Sequence, residues 1–218
     1  MKFPNESRSY RAARNKLLAA EIALRRKVEA VAALRRKLPP GGKVPEDYSF
    51  ESEAGEVRLS QLFRRGDTLV AYSFMYGPKM AQACPMCSAM LDGLNGNARH
   101  IAQRTDLVVI AKSPLARIAE FARARGWSNF RLLSSVSNSY NSDYHGEGDR
   151  GAQWPMMNVF VRRDGAIRHF WGSEMLTAKA DKGQNARHVD LLWPLWGLLD
   201  LTPEGRAPDW YPKLDYRS

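Results

Sequence analysis

Apolar residues recur along this chain with different periods, and each period predicts a different element. From Ser7 to Leu38 the spacing is helical. Leu17, Leu24, Val31 and Leu38 lie seven apart, and Ala20, Val28 and Leu34 widen the stripe. Ser7 or Ser9 can cap this helix, Ala, Leu, Arg and Lys fill it, and Pro39-Pro40-Gly41-Gly42 ends it. A helix this long is not stable on propensity alone, so its stripe is expected to pack on its own domain or on a second subunit. Further on, Tyr48 and Phe50 mark a short strand. Residues 55–63 (GEVRLSQLF) alternate and read as a strand and a turn. Continuous apolar runs at 68–74 (TLVAYSF) and 106–111 (DLVVIA) predict strands covered on both faces.

Helical spacing returns at Met90, Leu91, Leu94, Ala98 and Ile101, and again after Ser113-Pro114, with Gly126 just past that second helix. Residues 131–135 predict a strand, and the polar stretch 137–151 a long loop. Residues 156–163 and 166–171 flank Asp164-Gly165, a strong hairpin signal. Residues 188–200 predict a last helix, strained or broken by Pro194. The order β-β-α-β-α-β, then a hairpin and a helix, predicts an α/β fold with a mixed sheet. Residues 1–44 read as a basic helical arm and linker, and 45–218 as the globular domain.

Charge changes this picture only once it is located. The net charge is +10, and residues 7–38 carry +8 of it, leaving the rest of the chain nearly balanced. The basic character thus belongs to one helix face, where solvation is the ordinary explanation. No aromatic interleaving accompanies it, so nucleic acid is not expected as a partner. The longest apolar run, 191–199, is far short of the ~20 residues that span a bilayer, and no membrane association is expected. No secretory signal is visible at Met1-Lys2-Phe3-Pro4-Asn5, and the reading is cytoplasmic.

The chemistry concentrates in Cys84-Pro85-Met86-Cys87, which holds the only two cysteines of the 218 residues. The pair sits where the 68–74 strand gives way to a helix. Cys84 then lies at a helix N-terminus, where unpaired N–H groups and the helix dipole favour thiolate over thiol. A thiolate is the nucleophile of disulfide exchange, and Cys87 is close enough to resolve a mixed disulfide. Three other readings stand beside this one. Metal ligation would need help from His100, His145, His169, His188 or carboxylates, none at zinc-finger spacing. A structural disulfide would close a very small loop and contribute little. The thiols can also be inert. A redox dithiol is preferred, with no cofactor and no bound metal expected.

The strand-to-helix C-x-x-C followed by a terminal hairpin and helix resembles the thioredoxin superfamily. The strings YRAARNKLLAAEIALRRK, LRRKLP, LSQLF, LVAYSFMYGP, CPMCS, SPLARIAEFARARGW, SNSYNSDY, FVRRDG and LDLTPEGR run in order from about residue 7 to 206. Together they resemble a bacterial thioredoxin-like family of unknown function whose members are described as predicted dithiol-disulfide oxidoreductases. The resemblance implies a thioredoxin-like sheet flanked by helices, with the N-terminal arm as part of the pattern. It also implies that Cys84 attacks and Cys87 resolves. Pro85 stands where glutaredoxins place theirs (C-P-x-C), and its missing N–H costs nothing at an N-terminal helical position.

Thioredoxin-like enzymes also carry a cis-proline before the hairpin. Trp154-Pro155 is the candidate, with a plain trans-proline at a strand start as its alternative. Tyr144 and His145, on the long loop, are candidates for a substrate pocket, against the plainer reading of a surface loop pinned by its tyrosines. Ser88 can offer a hydroxyl to the Cys84 sulfur or be an ordinary helix-turn serine. The expected partners are protein or small-molecule thiols and disulfides, with a homodimer formed through the N-terminal helix. Two rival functions remain. LSQLF and LVAYSF also resemble peroxiredoxins, although the P-x-x-x-[TS]-x-x-C loop is missing between Tyr76-Gly77-Pro78 and Cys84. The other is a non-catalytic binding module in which the dithiol ligates metal or does nothing.

Overall fold

The computed structural model describes residues 2–179, 182, 193–203 and 210–216. The chain divides into two compact units, Met1–Pro40 and Gly41–Ser218. The first is built on helix α1 (Arg8–Arg36). Its cap is Ser7, whose Oγ accepts the Tyr10 N–H at 3.1 Å, and Arg11 pairs with Glu6 ahead of the first turn. No residue of α1 is buried: Leu17, Leu24 and Leu38 are 50%, 64% and 44% exposed. The sequence predicts a cover for this stripe, and the helix unit by itself supplies none. Caps and a run of strong helix formers define the helix locally, and they do not supply a cover.

The second unit is built on one mixed seven-stranded sheet. Its strands are β1 (Ser49–Ser52), β2 (Gly55–Arg58), β3 (Thr68–Ser73), β4 (Asp106–Ala111), β5 (Arg131–Ser134), β6 (Met156–Arg163) and β7 (Ala166–Gly172), in the order β2-β1-β5-β4-β3-β6-β7. β3, β4 and β5 run parallel, joined by the crossover helices α2 (Pro85–Ile101) and α3 (Leu115–Ala124). β6 pairs antiparallel with β3, and β7 with β6. This is the thioredoxin-like arrangement, extended by the β1–β2 hairpin on the outer side of β5. The predicted Asp164-Gly165 turn closes β6 onto β7. Both residues have positive φ, 51° and 69°, as a tight primed turn demands.

Alternation along β3 sends its side chains into two cores. Val70, Tyr72 and Phe74 join α2 and α3 on one face, with Leu91, Val109, Ile118 and Trp127. Leu69 and Ala71 join the other face, with Phe50, Leu59, Leu62, Tyr140 and Phe160. The predicted strand and turn over 55–63 resolve into β2 and a 3-10 turn, Leu59–Leu62. The polar loop contains one turn of α-helix, α4 (Tyr140–Asp143), anchored by the buried Tyr140 and Asn141, and a 3-10 turn, Asp149–Gly151. Of the predicted last helix, α5 (Pro194–Leu199) is described and 188–192 lie outside the described residues. Pro194 therefore opens a helix, where its missing N–H is tolerated. Among the described residues, no helix is long and apolar enough to cross a membrane.

Candidate active site

β3 delivers the chain to the site. After Ser73, the Phe74 N–H still bonds to Ile110 of β4, at 2.8 Å. The Met75 carbonyl then accepts the Cys84 N–H at 3.1 Å, so the segment between them loops out and returns. Arg117 of α3 holds that loop by donating to the carbonyls of Gly77 (3.0 Å) and Met80, with its guanidinium 4.1 Å from the centre of the Tyr76 ring. Cys84 is the N-cap of α2 and Pro85 is its first residue. The cap bond runs from the Cys87 N–H to the Cys84 sulfur, at 3.5 Å. Ser88 donates to the Cys84 carbonyl at 2.9 Å, not to the sulfur. Its hydroxyl serves the helix turn, the plainer of its two readings.

Both cysteines are free thiols, Cys84 partly exposed and Cys87 fully buried behind it. That difference separates their acidities. The Cys84 thiol is drawn down to about 6, first by a hydrogen bond from the Cys87 thiol. The N–H groups of Cys87 and Met86 add to the effect, and partial burial opposes it. Burial pushes the Cys87 thiol well up, and its bond to Cys84 adds to the rise. One sulfur is therefore a thiolate at neutral pH and the other holds its proton. Among the described residues, no group of three or more His, Cys, Asp and Glu converges as metal ligands would.

The other candidates divide into two places. Trp154, Pro155 and His145 line a cavity of about 540 Å³ together with Glu147 and Glu174. Tyr144 does not line it. Its ring packs in the opposite core, 4.8 Å from Phe160 and 5.6 Å from His169, centre to centre. Pro155 continues β6 toward the site: Met156 pairs with Ser73, which brings Pro155 level with Phe74. The Trp154–Pro155 peptide is trans, where thioredoxin-like enzymes carry a cis bond. Trp154 is tied to the Gly146 carbonyl at 3.0 Å and β6 begins at Met156, so Pro155 enters an extended strand directly, which a trans proline does without strain.

Two neighbours of the dithiol escaped the sequence reading. Trp193 Nε1 donates to the Met86 carbonyl, between the cysteines, at 3.1 Å. Tyr72 is buried on the face of β3 toward α2, and its hydroxyl has no hydrogen-bond partner. The available signal was parity: Tyr72 shares a strand face with Val70 and Phe74 and is the one member with a polar tip.

A family model described as "Bacterial protein of unknown function (DUF899)" matches residues 1–216. No curated protein sequence matches significantly. Among solved structures, the chain is similar to peroxidoxin BcpB from Mycobacterium tuberculosis, at 21% identity and TM-score 0.46 over 72% of this chain and 95% of that one. It is similar to the exposed lipoprotein thioredoxin Etrx1 of Streptococcus pneumoniae, at 11% identity and TM-score 0.44 over 69% and 99% of the two chains. It is also similar to a cysteine-to-serine variant of PrxQ from Xylella fastidiosa, at 12% identity and TM-score 0.48 over 74% and 97%.

Proposed function

Because the chain belongs to the bacterial DUF899 family, whose description assigns no activity, we propose its function from the site: thiol–disulfide exchange through Cys84 and Cys87. One observation carries the reading. A partly exposed sulfur caps a helix, lowered in pKa, accepting the Cys87 N–H and with the Cys87 sulfur buried behind it. In the oxidising direction the Cys84 thiolate attacks one sulfur of a substrate disulfide. The substrate S–S bond breaks, one substrate thiolate leaves, and Cys84 is joined to the other half. Cys87 then loses its proton, attacks the Cys84 sulfur and expels the second substrate thiolate. The substrate has gained two electrons, its two thiolates take the proton that Cys87 released and one more from solvent, and the protein holds a Cys84–Cys87 disulfide. A dithiol running the same steps backward restores the protein. The substrates are disulfides and thiols, of proteins or small molecules.

Titration with mixtures of oxidised and reduced glutathione tests this reading. The expected product is a protein lighter by two hydrogens, formed and reversed over a defined potential and without sulfur-linked dimers. Sulfenic acid on Cys84 after one equivalent of hydrogen peroxide, with Cys87 still reduced, would instead identify a peroxide reductase. Thiols that stay reduced across the whole range would leave a binding module.

A further inference from the structure

Tyr72 presents a buried hydroxyl with nothing conventional to bond. Its residue is 2% exposed, held in the middle of β3 between Val109 of β4 and Met157 of β6. No hydrogen bond of ordinary geometry reaches its Oη. Leaving such a group unpaired costs stability, and phenylalanine would fill the same space without that cost. On this face of β3 the hydroxyl lies in the core that holds the two sulfurs, and the charge that acts on it most after burial is that of Cys87. Tyr72, Cys87 and Cys84 belong to one core cluster under α2.

The two sulfurs differ in what supports them. When Cys84 carries charge it receives the Cys87 S–H and two backbone N–H groups. When Cys87 carries charge its own S–H is gone, and it is sealed from water. Resolution requires that state: Cys87 must be a thiolate to attack Cys84, and it is the thiolate expelled when the disulfide is reduced again. We propose that Tyr72 is a positioning residue for this step, its hydroxyl donating a hydrogen bond to the Cys87 sulfur while that sulfur carries negative charge. This rests on the exchange reading above. The hydroxyl donates a hydrogen bond only: burial holds the phenol's pKa well above its ordinary value, so Tyr72 keeps its proton. The proton of Cys87 goes to solvent before the attack, and the electrons balance as before. The titratable groups facing the sulfurs are one another, Tyr72, and Tyr211 from the C-terminal segment.

The test uses the reduced full-length protein and the aromatic disulfide DTNB, which releases one coloured thiolate at each step. Attack by Cys84 gives a first release that depends on DTNB concentration. Attack by Cys87 on the mixed disulfide gives a second release that does not. Tyr72→Phe should leave the first phase within about twofold, since the hydroxyl does not act on the attacking step. It should slow the second by about tenfold or more and move its pH midpoint upward. Its thermal midpoint should match or exceed the wild type's, because the unpaired hydroxyl is gone. An unchanged second phase in Tyr72→Phe, or equal slowing of both, overturns the role of Tyr72 and leaves the exchange reading standing. A wild type that releases no concentration-independent second thiolate overturns the exchange reading, and this one with it. Should Tyr72→Phe fail to fold, 3-fluorotyrosine placed at position 72 supplies a stronger donor of nearly the same shape. It should speed the second phase, and no acceleration overturns the proposal.

Discussion

Helices α1 and α2 begin on the same device and are put to different uses. In α1 the Ser7 hydroxyl accepts the N–H three residues on, at 3.1 Å; in α2 the Cys84 sulfur accepts the N–H three residues on, at 3.5 Å. A serine hydroxyl stays neutral at any physiological pH, so the first cap only starts a helix. A thiol can ionise, and the donors that cap the helix then also stabilise the anion. The same exchange of oxygen for sulfur would matter less if the helices were buried alike, and they are not. α1 has no buried residue across 29 positions, whereas α2 buries Cys87, Ser88, Met90, Leu91 and Ala98 in 17. Burial of Cys87 holds its proton in place as a donor to Cys84. Local structure thus makes a cap, and packing makes that cap an acid.

Removing the sulfur should have the largest effect. Cys84→Ser keeps a good capping atom, so the melting temperature should change little, while disulfide exchange with glutathione should fall to background. A variant that retains appreciable exchange would show that Cys87 can act alone. Core truncation comes next. Leu91→Ala on the buried face of α2 should cost about 2–5 kcal/mol in urea unfolding, at any protein concentration. Leu24→Ala on α1 should cost nothing measurable in dilute solution and should act only through association of two stripes at high concentration. Sedimentation reads this directly: a dimer weakened by the variant identifies a second copy as the cover of α1, and a monomer throughout removes the homodimer.

The smallest effect sharpens the comparison most. Ser7→Cys would place a thiol on the cap of α1 without a second thiol behind it. Its pKa, read from thiolate absorbance at 240 nm, should fall below the free value of ~8.5. It should stay above that of Cys84, which titrates at about 6. Alkylation of Cys84 should rise as pH passes upward through about 6 and level off by neutral pH, because only the thiolate reacts. In Cys87→Ala that midpoint should move up, since the leading support of the thiolate is gone. Equal values for position 7 and position 84 would mean that the cap alone sets the acidity.

The elements of this protein were largely legible because each rests on local physics. Alternating and continuous apolar runs marked β3, β4 and β6, Asp164-Gly165 marked the hairpin, and Ser7 with Pro39-Pro40 bounded α1. The position of the dithiol at a strand-to-helix junction was legible for the same reason, since spacing and composition are properties of the chain alone. What the periodicity of 68–74 did not reveal was that Tyr72 stands out from its apolar neighbours. A buried strand tyrosine reads as core until its hydroxyl is found without a partner beside a sulfur. Tyr144 and His145, adjacent in sequence just after the α4 turn, go to different places: one ring enters the aromatic core while the other residue, at φ 56°, lines a cavity. Helix caps, turns and strand faces depend on residues within a few positions, so the amino-acid sequence determined them unaided. The trans bond at Pro155, the Trp193 bond to Met86 and the gathering of Tyr72 and Cys87 in one core depend on which distant segments pack together, and only the tertiary structure decided those.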